Sequence, residues 1–419
     1  MGRNGVALPY GHGEVAVSNL PDEWVTLTPR VVPPLANWAD AVVEALRHPV
    51  GSPPLREVVR PGERVAIIVN DITRVVGTDR FLPLLLDELN AAGVPDANVL
   101  VVFATATHRK HTPEEQRYIL GEEAYRRVKV HDHDCVNDDL VYLGTTSSGT
   151  RMLVNRLVLD ADKVIATGEL TYHQCAGYTG GRKSVMPGVS ALETIEHNHA
   201  FMLHPDARAG KTVGNPFHED MMECVRLCPP HFILNVLLNE KKEFVRVVAG
   251  HWIEAHEAGC KLVDELFGLP IDEPADLVVV SPGGYPRDIS VYQSQKAMEN
   301  ASYAVREGGV VVMVAACPDG PGSEKFYQHI RQFSSLSELV DDVRRNFRMG
   351  PHKSYLVSRL LTKAETILVS DMPDDVVRHM FMTPARSVEE ALDLAYERVG
   401  GKPRTMLMPY GQLTVPLLR

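Results

Sequence analysis

RVAIIVN, residues 64–70, is an unbroken apolar run closed by Asn70 and followed at once by Asp71-Ile72-Thr73-Arg74. Its length suits a strand, and the lack of polar alternation fits a strand covered on both faces, the usual condition in a parallel sheet. Working outward, Arg80–Ala92 carries leucines at helical spacing and is stopped by Gly93-Val94-Pro95. NVLVVFA (98–104) repeats the strand signal. Thr112–Leu120 then reads as a helix with Thr112 as N-cap and Glu115 three residues on, the capping-box pattern. KVIAT (163–167) is a third buried strand, Phe232–Leu238 a further one, and Ile253–Leu266 a long helix.

A second series starts after Gly268-Leu269-Pro270. Strands are expected at Leu277–Ser281, Val310–Ala315, Ile367–Ser370 and Thr405–Met408, with helices at Val291–Arg306 and Arg386–Val399, the latter capped by Gly400-Gly401. At 419 residues the chain exceeds one compact core. The expectation is therefore an α/β protein of two domains with mostly parallel sheets and an active site in the cleft between them. Residues 1–268 form the first domain, 269–404 the second, and 405–419 a tail returning to the first. No internal repeat interrupts this pattern.

Composition narrows the function classes. A hydrophobic content of 44% with 23% charged residues is that of a globular protein, and the formal net charge of -11 opposes a general nucleic-acid surface. No apolar run reaches a bilayer span, and residues 1–20 are polar and Gly-rich without a cleavable apolar core, so a cytoplasmic protein without a membrane partner is expected. Cys135, Cys175, Cys224, Cys228, Cys260 and Cys317 lack the tight spacing of a disulfide framework or zinc module and read as reduced thiols.

Ligands of such sheets bind at the carboxyl ends of the strands. After RVAIIVN come Asp71, Thr73 and Arg74; after NVLVVFA come Thr105, Thr107, His108 and Arg109; after KVIAT come Gly168, Glu169 and His173; after LVVVS come Gly283, Gly284 and Tyr285. His108 and His173 follow different strands and form a candidate acid/base pair, because an imidazole exchanges protons near neutral pH. The segment 169–199, ELTYHQCAGYTGGRKSVMPGVSALETIEHNH, holds Gly177, Gly180 and Gly181 ahead of Arg182-Lys183-Ser184, then a Pro187-Gly188 turn. This combination suits a phosphate cradle, and equally a solvated basic turn; it lacks the spacing of a Walker loop. Of His197 and His199, two apart on a helix, at most one faces a site. His131-Asp132-His133-Asp134 reads as a solvated loop in preference to a metal site.

Together these motifs resemble the nickel-pincer lactate racemase family and its homologues acting on other 2-hydroxy acids. The matching pieces are DITR (71–74), THRKHT (107–112), HQCAGYTGGRKSVMPGVSALETIEHNH (173–199), GGYPRD (283–288) and YQSQK (292–296), in order along essentially the whole chain. The resemblance implies an isomerase that racemises or epimerises a 2-hydroxy acid. Lys183 would carry a nickel-pincer nucleotide (pyridinium-3,5-bisthiocarboxylic acid mononucleotide nickel), His199 would ligate its Ni, and His108 and His173 would be the two bases. Asp71, Thr73, Arg74, Gly177, Gly180, Gly181 and Lys296 would surround the cofactor; Arg74, Gln293, Lys296 and Tyr355 would face the substrate. Partners implied are the small hydroxy acid and the proteins that build the cofactor, with homo-oligomerisation left open.

The sequence departs from the lactate pattern at three places. Ile72 and Val75-Val76-Gly77 replace a His and a Pro-Val-Pro, Gln174-Cys175 replaces an aromatic pair, and Tyr355 stands where a Trp is expected. A longer or more polar hydroxy acid than lactate is therefore expected. Two readings of other classes compete: a zinc-dependent hydrolase or lyase using His131/His133 or His197/His199, and a non-catalytic nucleotide-binding protein in which GGRKS merely cradles phosphate.

Overall fold

The computed structural model describes residues 6–21, 23–346 and 352–418, and it divides the chain into two compact units, 31–266 and the combination of 1–30 with 267–419. Pro351, in the segment 351–361 that carries Tyr355, lies outside the described residues.

The 31–266 unit is built on a six-stranded sheet ordered Phe244–Gly250, Phe232–Leu238, Lys163–Glu169, Val65–Asn70, Val99–Ala104, Lys129–Asp132. All neighbours are parallel except the Phe244–Gly250 edge, which runs antiparallel to Phe232–Leu238. Val65 to Val69 are buried, as a strand with helices on both faces requires. Helix Thr78–Ala91 turns Phe81, Leu82, Leu85, Leu86 and Leu89 into that core, and helix Pro113–Arg127 opens with the expected capping box between Thr112 and Glu115. That helix ends after Leu120 at Gly121, whose φ is 75°, and a second helix follows as far as Arg127. Parallel register aligns Asn70 with Ala104 and Ile68 with Ala166, so the loops that follow these three strands emerge along one edge of the sheet.

In the other unit, six parallel strands are ordered Thr383–Ala385, Glu365–Val369, Val305–Val314, Ala275–Val280, Thr405–Met408, Val25–Thr26. Its composition differs from the sequence expectation at both chain ends. Thr405–Met408 is not part of a returning tail; it is an interior strand of this sheet. The Gly-rich start is a hairpin, Val6–Tyr10 with Gly13–Val17, and its Leu8 and Val17 are buried in the core with Leu277, Val312 and Leu407. Leu8 and Val17, with Val6, Tyr10 and Val15 packed beside them and Gly11 N–H donating to Asp288, attach the N-terminus here. Helix Val291–Ala304 and helix His352–Lys363 pack against one another and carry Gln293, Lys296 and Tyr355.

Candidate active site

The Asp71–Arg74 turn follows the central strand, and its geometry is set by a buried histidine. Ile72 N–H donates to His111 Nε2 at 3.0 Å, which places the ring proton on Nδ1, where it is donated to Asp132 at 2.5 Å. Asp132 is held in turn by His111 N–H and by Gln116. Asp71, itself buried, accepts from Thr73 Oγ1 at 2.7 Å and pairs with His108 Nδ1 at 2.5 Å. Burial pushes the Asp71 carboxyl up, but the hydrogen bonds of His108 and Thr73, with the charges of His108 and Arg74, outweigh it and hold the group below the usual carboxylate range. An Asp on Nδ1 leaves the Nε2 lone pair of His108 for proton uptake and stabilises the imidazolium that results. His108 is half-exposed, on a turn tied down where Ala106 N–H meets the Gly188 carbonyl.

His173 sits in a short hairpin with Gly177 as its cross-strand partner. Its Nδ1 accepts from the backbone N–H of Cys175 and Ala176 at 3.2 and 3.1 Å, so the ring is neutral with its proton on Nε2. Burial first, then the charges of Lys183, Arg74, His199 and Arg182, hold it well below the usual imidazole range. Three of the candidate side chains meet on one ring. Phe217, fully buried on helix Pro216–Arg226, has Lys183 Nζ 5.8 Å from its centroid, the His199 ring at 5.0 Å and the His173 ring at 6.3 Å. His199 donates Nδ1–H to the Ile195 carbonyl at 2.8 Å, which puts its lone pair on Nε2. Lys183 lies deep among protein atoms yet keeps an edge open to solvent; burial, followed by the charges of Arg74 and Arg182, pushes its amine down to about 7. Phe217 carried no signal in the sequence, because an apolar residue behind an Asn-Pro helix start reads as ordinary core.

GGRKS is a single turn of 3-10 helix, and its arginine is not solvated. Arg182 is fully buried, donating to His256 Nε2 at 2.5 Å, His218 Nδ1 at 2.9 Å and the carbonyls of Ala176 and Tyr178 at 3.2 and 3.3 Å. The flanking glycines answer to close packing. A Cβ on Gly177, whose φ is +77°, would collide with the Lys211 carbonyl oxygen, and one on Gly188 with that of Ser184.

His131-Asp132-His133-Asp134 is corrected from a solvated loop to a strand end inside a hydrogen-bond network. His131 pairs with Asp138 at 2.7 Å, and His133, buried, meets the Ser190 carbonyl at 2.9 Å and Asn155 at 3.1 Å. These contacts occupy both ring nitrogens of His133 and Nε2 of His131. His197 binds Thr150, which itself donates to Asp220, a structural arrangement on the exposed side of the helix. In the other unit, Gln293 and Lys296 are exposed on helix Val291–Ala304 and Tyr355 is buried on helix His352–Lys363.

His108 and His173, fixed in opposite tautomers, and a deep lysine all follow strand ends of one α/β unit, an arrangement with the chemistry to exchange protons with a bound ligand, as an isomerase would. Residues 10–210 match the lactate racemase N-terminal domain and residues 271–415 the lactate racemase C-terminal domain, so the chain belongs to the lactate racemase family and is a racemase. It is 33% identical over 418 residues to the lactate racemase of Thermoanaerobacterium thermosaccharolyticum, covering 97% of both. To the lactate racemase of Lactiplantibacillus plantarum it is 34% identical over 380 residues, 89% of both. The solved structure of the Thermoanaerobacterium lactate racemase apoprotein superposes with a TM-score of 0.87 at 32% identity, covering 99% of this chain and 100% of that one. A Thermotoga maritima protein at 18% identity and TM-score 0.63, covering 93% and 100%, shares the fold.

Proposed function

We propose that the chain racemises or epimerises a 2-hydroxy acid with a nickel-pincer nucleotide tethered to Lys183. The observation that carries this reading is the convergence of Lys183, His173 and His199 on the Phe217 ring. The donor set fits the group: an amine pushed down to about 7 suits covalent attachment, and an imidazole whose Nδ1–H is tied to a carbonyl suits nickel ligation through Nε2. When bound, the nucleotide supplies the acceptor and donor of hydride at the substrate Cα.

The chain's own part is orientation, charge and proton transfer. Arg74 pairs with the substrate carboxylate; Asp71 and Thr73 hold the turn. His108, with Asp71 on Nδ1, takes the hydroxyl proton at Nε2. His173 presents a proton at Nε2, so one ring is ready to accept while the other is ready to donate, as exchange on two faces of a planar 2-keto acid requires. Charging His173 is opposed by the cations around it, and the substrate's carboxylate supplies the compensating charge. Ile72 and Gln174-Cys175 favour a longer or more polar acid over lactate.

Protein produced with the cofactor-assembly proteins is expected to contain nickel, to show a mass adduct on the Lys183 peptide, and to interconvert the enantiomers of at least one 2-hydroxy acid in a panel. Active enzyme without the adduct overturns the tether. Zinc content with no ultraviolet–visible band from a pincer favours the hydrolase or lyase reading instead.

A further inference from the structure

His111 lies three residues beyond His108 on the same loop, yet its side chain is wholly buried and both of its ring nitrogens are engaged. Nε2 accepts from Ile72 N–H, so the ring proton sits on Nδ1 and is donated to Asp132. Asp132 closes the edge strand Lys129–Asp132, in register with Phe103, and it also accepts His111 N–H at 3.1 Å and Gln116 Nε2–H at 2.8 Å. With the Phe103 ring centred 4.8 Å away, the imidazole is fixed by two strands, a helix start and its own backbone. A ring so enclosed has no nitrogen left to exchange a proton with a ligand, so it is not a third base.

The hydrogen bond that His111 accepts has a particular place. Ile72 N–H belongs to the peptide unit that begins at the Asp71 carbonyl, and that unit is planar. Holding the N–H on one side therefore directs the Asp71 carbonyl to the other, where it accepts from Arg74 N–H at 3.0 Å across the 3-10 turn Ile72–Arg74. The first N–H of a helical turn has no partner inside the turn, and His111 satisfies it from outside. With this peptide unit pinned, the Asp71 side chain stays where it accepts Thr73 Oγ1–H at 2.7 Å and meets His108 Nδ1 at 2.5 Å. Both histidines of the loop thus carry an aspartate on Nδ1. One imidazole is half-exposed and the other buried, and a single backbone hydrogen bond links the two pairs.

We propose that His111, backed by Asp132, is a positioning residue for proton transfer: by accepting Ile72 N–H it holds the Asp71 carboxylate on Nδ1 of His108. It rests on the reading of His108 as a base. An aspartate on Nδ1 keeps the His108 lone pair on Nε2 and stabilises the charge that the ring acquires; with the turn unpinned, the carboxylate can leave the ring and both effects are lost. Position 111 must supply a lone pair towards Ile72 N–H and a donor towards Asp132. A glutamine amide offers both, through Oε1 and Nε2–H, whereas a phenylalanine fills similar space beside Phe103 and offers neither.

The test labels the full-length apoenzyme with diethyl pyrocarbonate. The Nε2 lone pair of an imidazole attacks a carbonyl carbon, and ethyl carbonate leaves, takes up the ring proton and breaks down to ethanol and carbon dioxide. Cleavage after Arg109 and Lys110 separates His108 from His111, which falls in HTPEEQR (111–117), so mass spectrometry follows each ring by itself. In wild type His108 should label readily and His111 only on unfolding. Asp71→Asn, which removes the carboxylate charge, sets the scale and should slow labelling of His108. His111→Phe should slow it by a comparable factor, and His111→Gln should restore most of it. In cofactor-loaded enzyme kcat is expected to fall by about tenfold to a hundredfold in His111→Phe and to recover in His111→Gln. A His111→Phe protein that melts below wild type yet labels at His108 at the wild-type rate overturns the proposal, because that is what a merely structural histidine predicts. A wild-type HTPEEQR that labels as fast as His108 also overturns it, as does a His111→Gln protein as slow as Asp71→Asn. If His111→Phe does not fold, those last two measurements decide. Wild-type kcat in His108→Gln would defeat the reading of His108 as a base while leaving the labelling of the apoenzyme intact, so the two failures are distinguishable.

Discussion

At the scale of single residues, the site depends on which nitrogen of each histidine carries the proton. His108 and His173 are the same residue type at equivalent strand-end positions, yet Asp71 fixes one tautomer and two backbone N–H groups fix the other. Asp71→Asn is expected to keep the fold and lower kcat by about two to four orders of magnitude, because the amide no longer holds Nδ1–H or stabilises the imidazolium. Steady-state racemisation by cofactor-loaded enzyme checks this, and near-normal kcat would remove Asp71 from proton transfer. Phe217→Leu retains most of the buried volume at a cost under about 1.5 kcal/mol but removes the ring on which three side chains rest. Loaded Phe217→Leu should therefore lose nickel on dialysis faster than wild type while melting within a few degrees of it. Equal retention would mean that the ring does not position His199. His108 and His173 were singled out from their strand-end positions, and Lys183 and His199 only through the family resemblance, whereas Phe217, His111 and the His218–His256 pair were not. Their roles come from neighbours distant in the chain, and nothing in their local spacing records that.

At the scale of elements, parallel register brings the ends of three strands level, and tight turns finish the positioning. Gly177 is the sharpest case: its left-handed φ and the Lys211 carbonyl oxygen pressed against its Cα leave no space for a side chain. Gly177→Ala should lower stability by about 1–3 kcal/mol, combining αL strain with displacement of the Lys211 backbone. It should also slow racemisation, because the turn pairs with His173. Thermal denaturation and kcat together check this, and a variant as stable as wild type would show that the Lys211 segment yields freely. The strands and helices of this unit were readable because apolar runs and helical leucine spacing report burial directly. The helix that resumes after Gly121 and the antiparallel edge Phe244–Gly250 were not read, since a short helix carries little periodicity and an edge strand depends on its partner.

On the scale of the whole molecule, the deep histidines tie stability to pH. His173, His218 and His256 are all held below their unfolded value of about 6.5, so below that pH the unfolded chain binds more protons than the folded one. The contribution of these histidines should be flat above about pH 6.5 and fall as pH drops through that value, by up to roughly 1.4 kcal/mol per pH unit for each until its folded value is reached, while Lys183, held at about 7, adds a fall of the same slope as pH drops from ~10.4 to about 7. Calorimetry of the apoenzyme between pH 4 and 8 reads this directly; a melting temperature that rises on acidification from 6.5 to 5 would contradict it. The sequence by itself determined the α/β class, the positions of most strands, and a set of motifs specific enough to point to one family, because patterning and catalytic chemistry are local properties of the chain. Which unit the two chain ends join was decided by the tertiary structure, since Leu8, Val17 and Thr405–Met408 are placed by partners far away in sequence. So was the state of each ionisable group. Lys183 and Arg182 read alike as a basic turn, and only packing pushes the amine of one down to about 7 and surrounds the guanidinium of the other with histidines and carbonyls, because desolvation and hydrogen-bond partners exist only once the chain has folded.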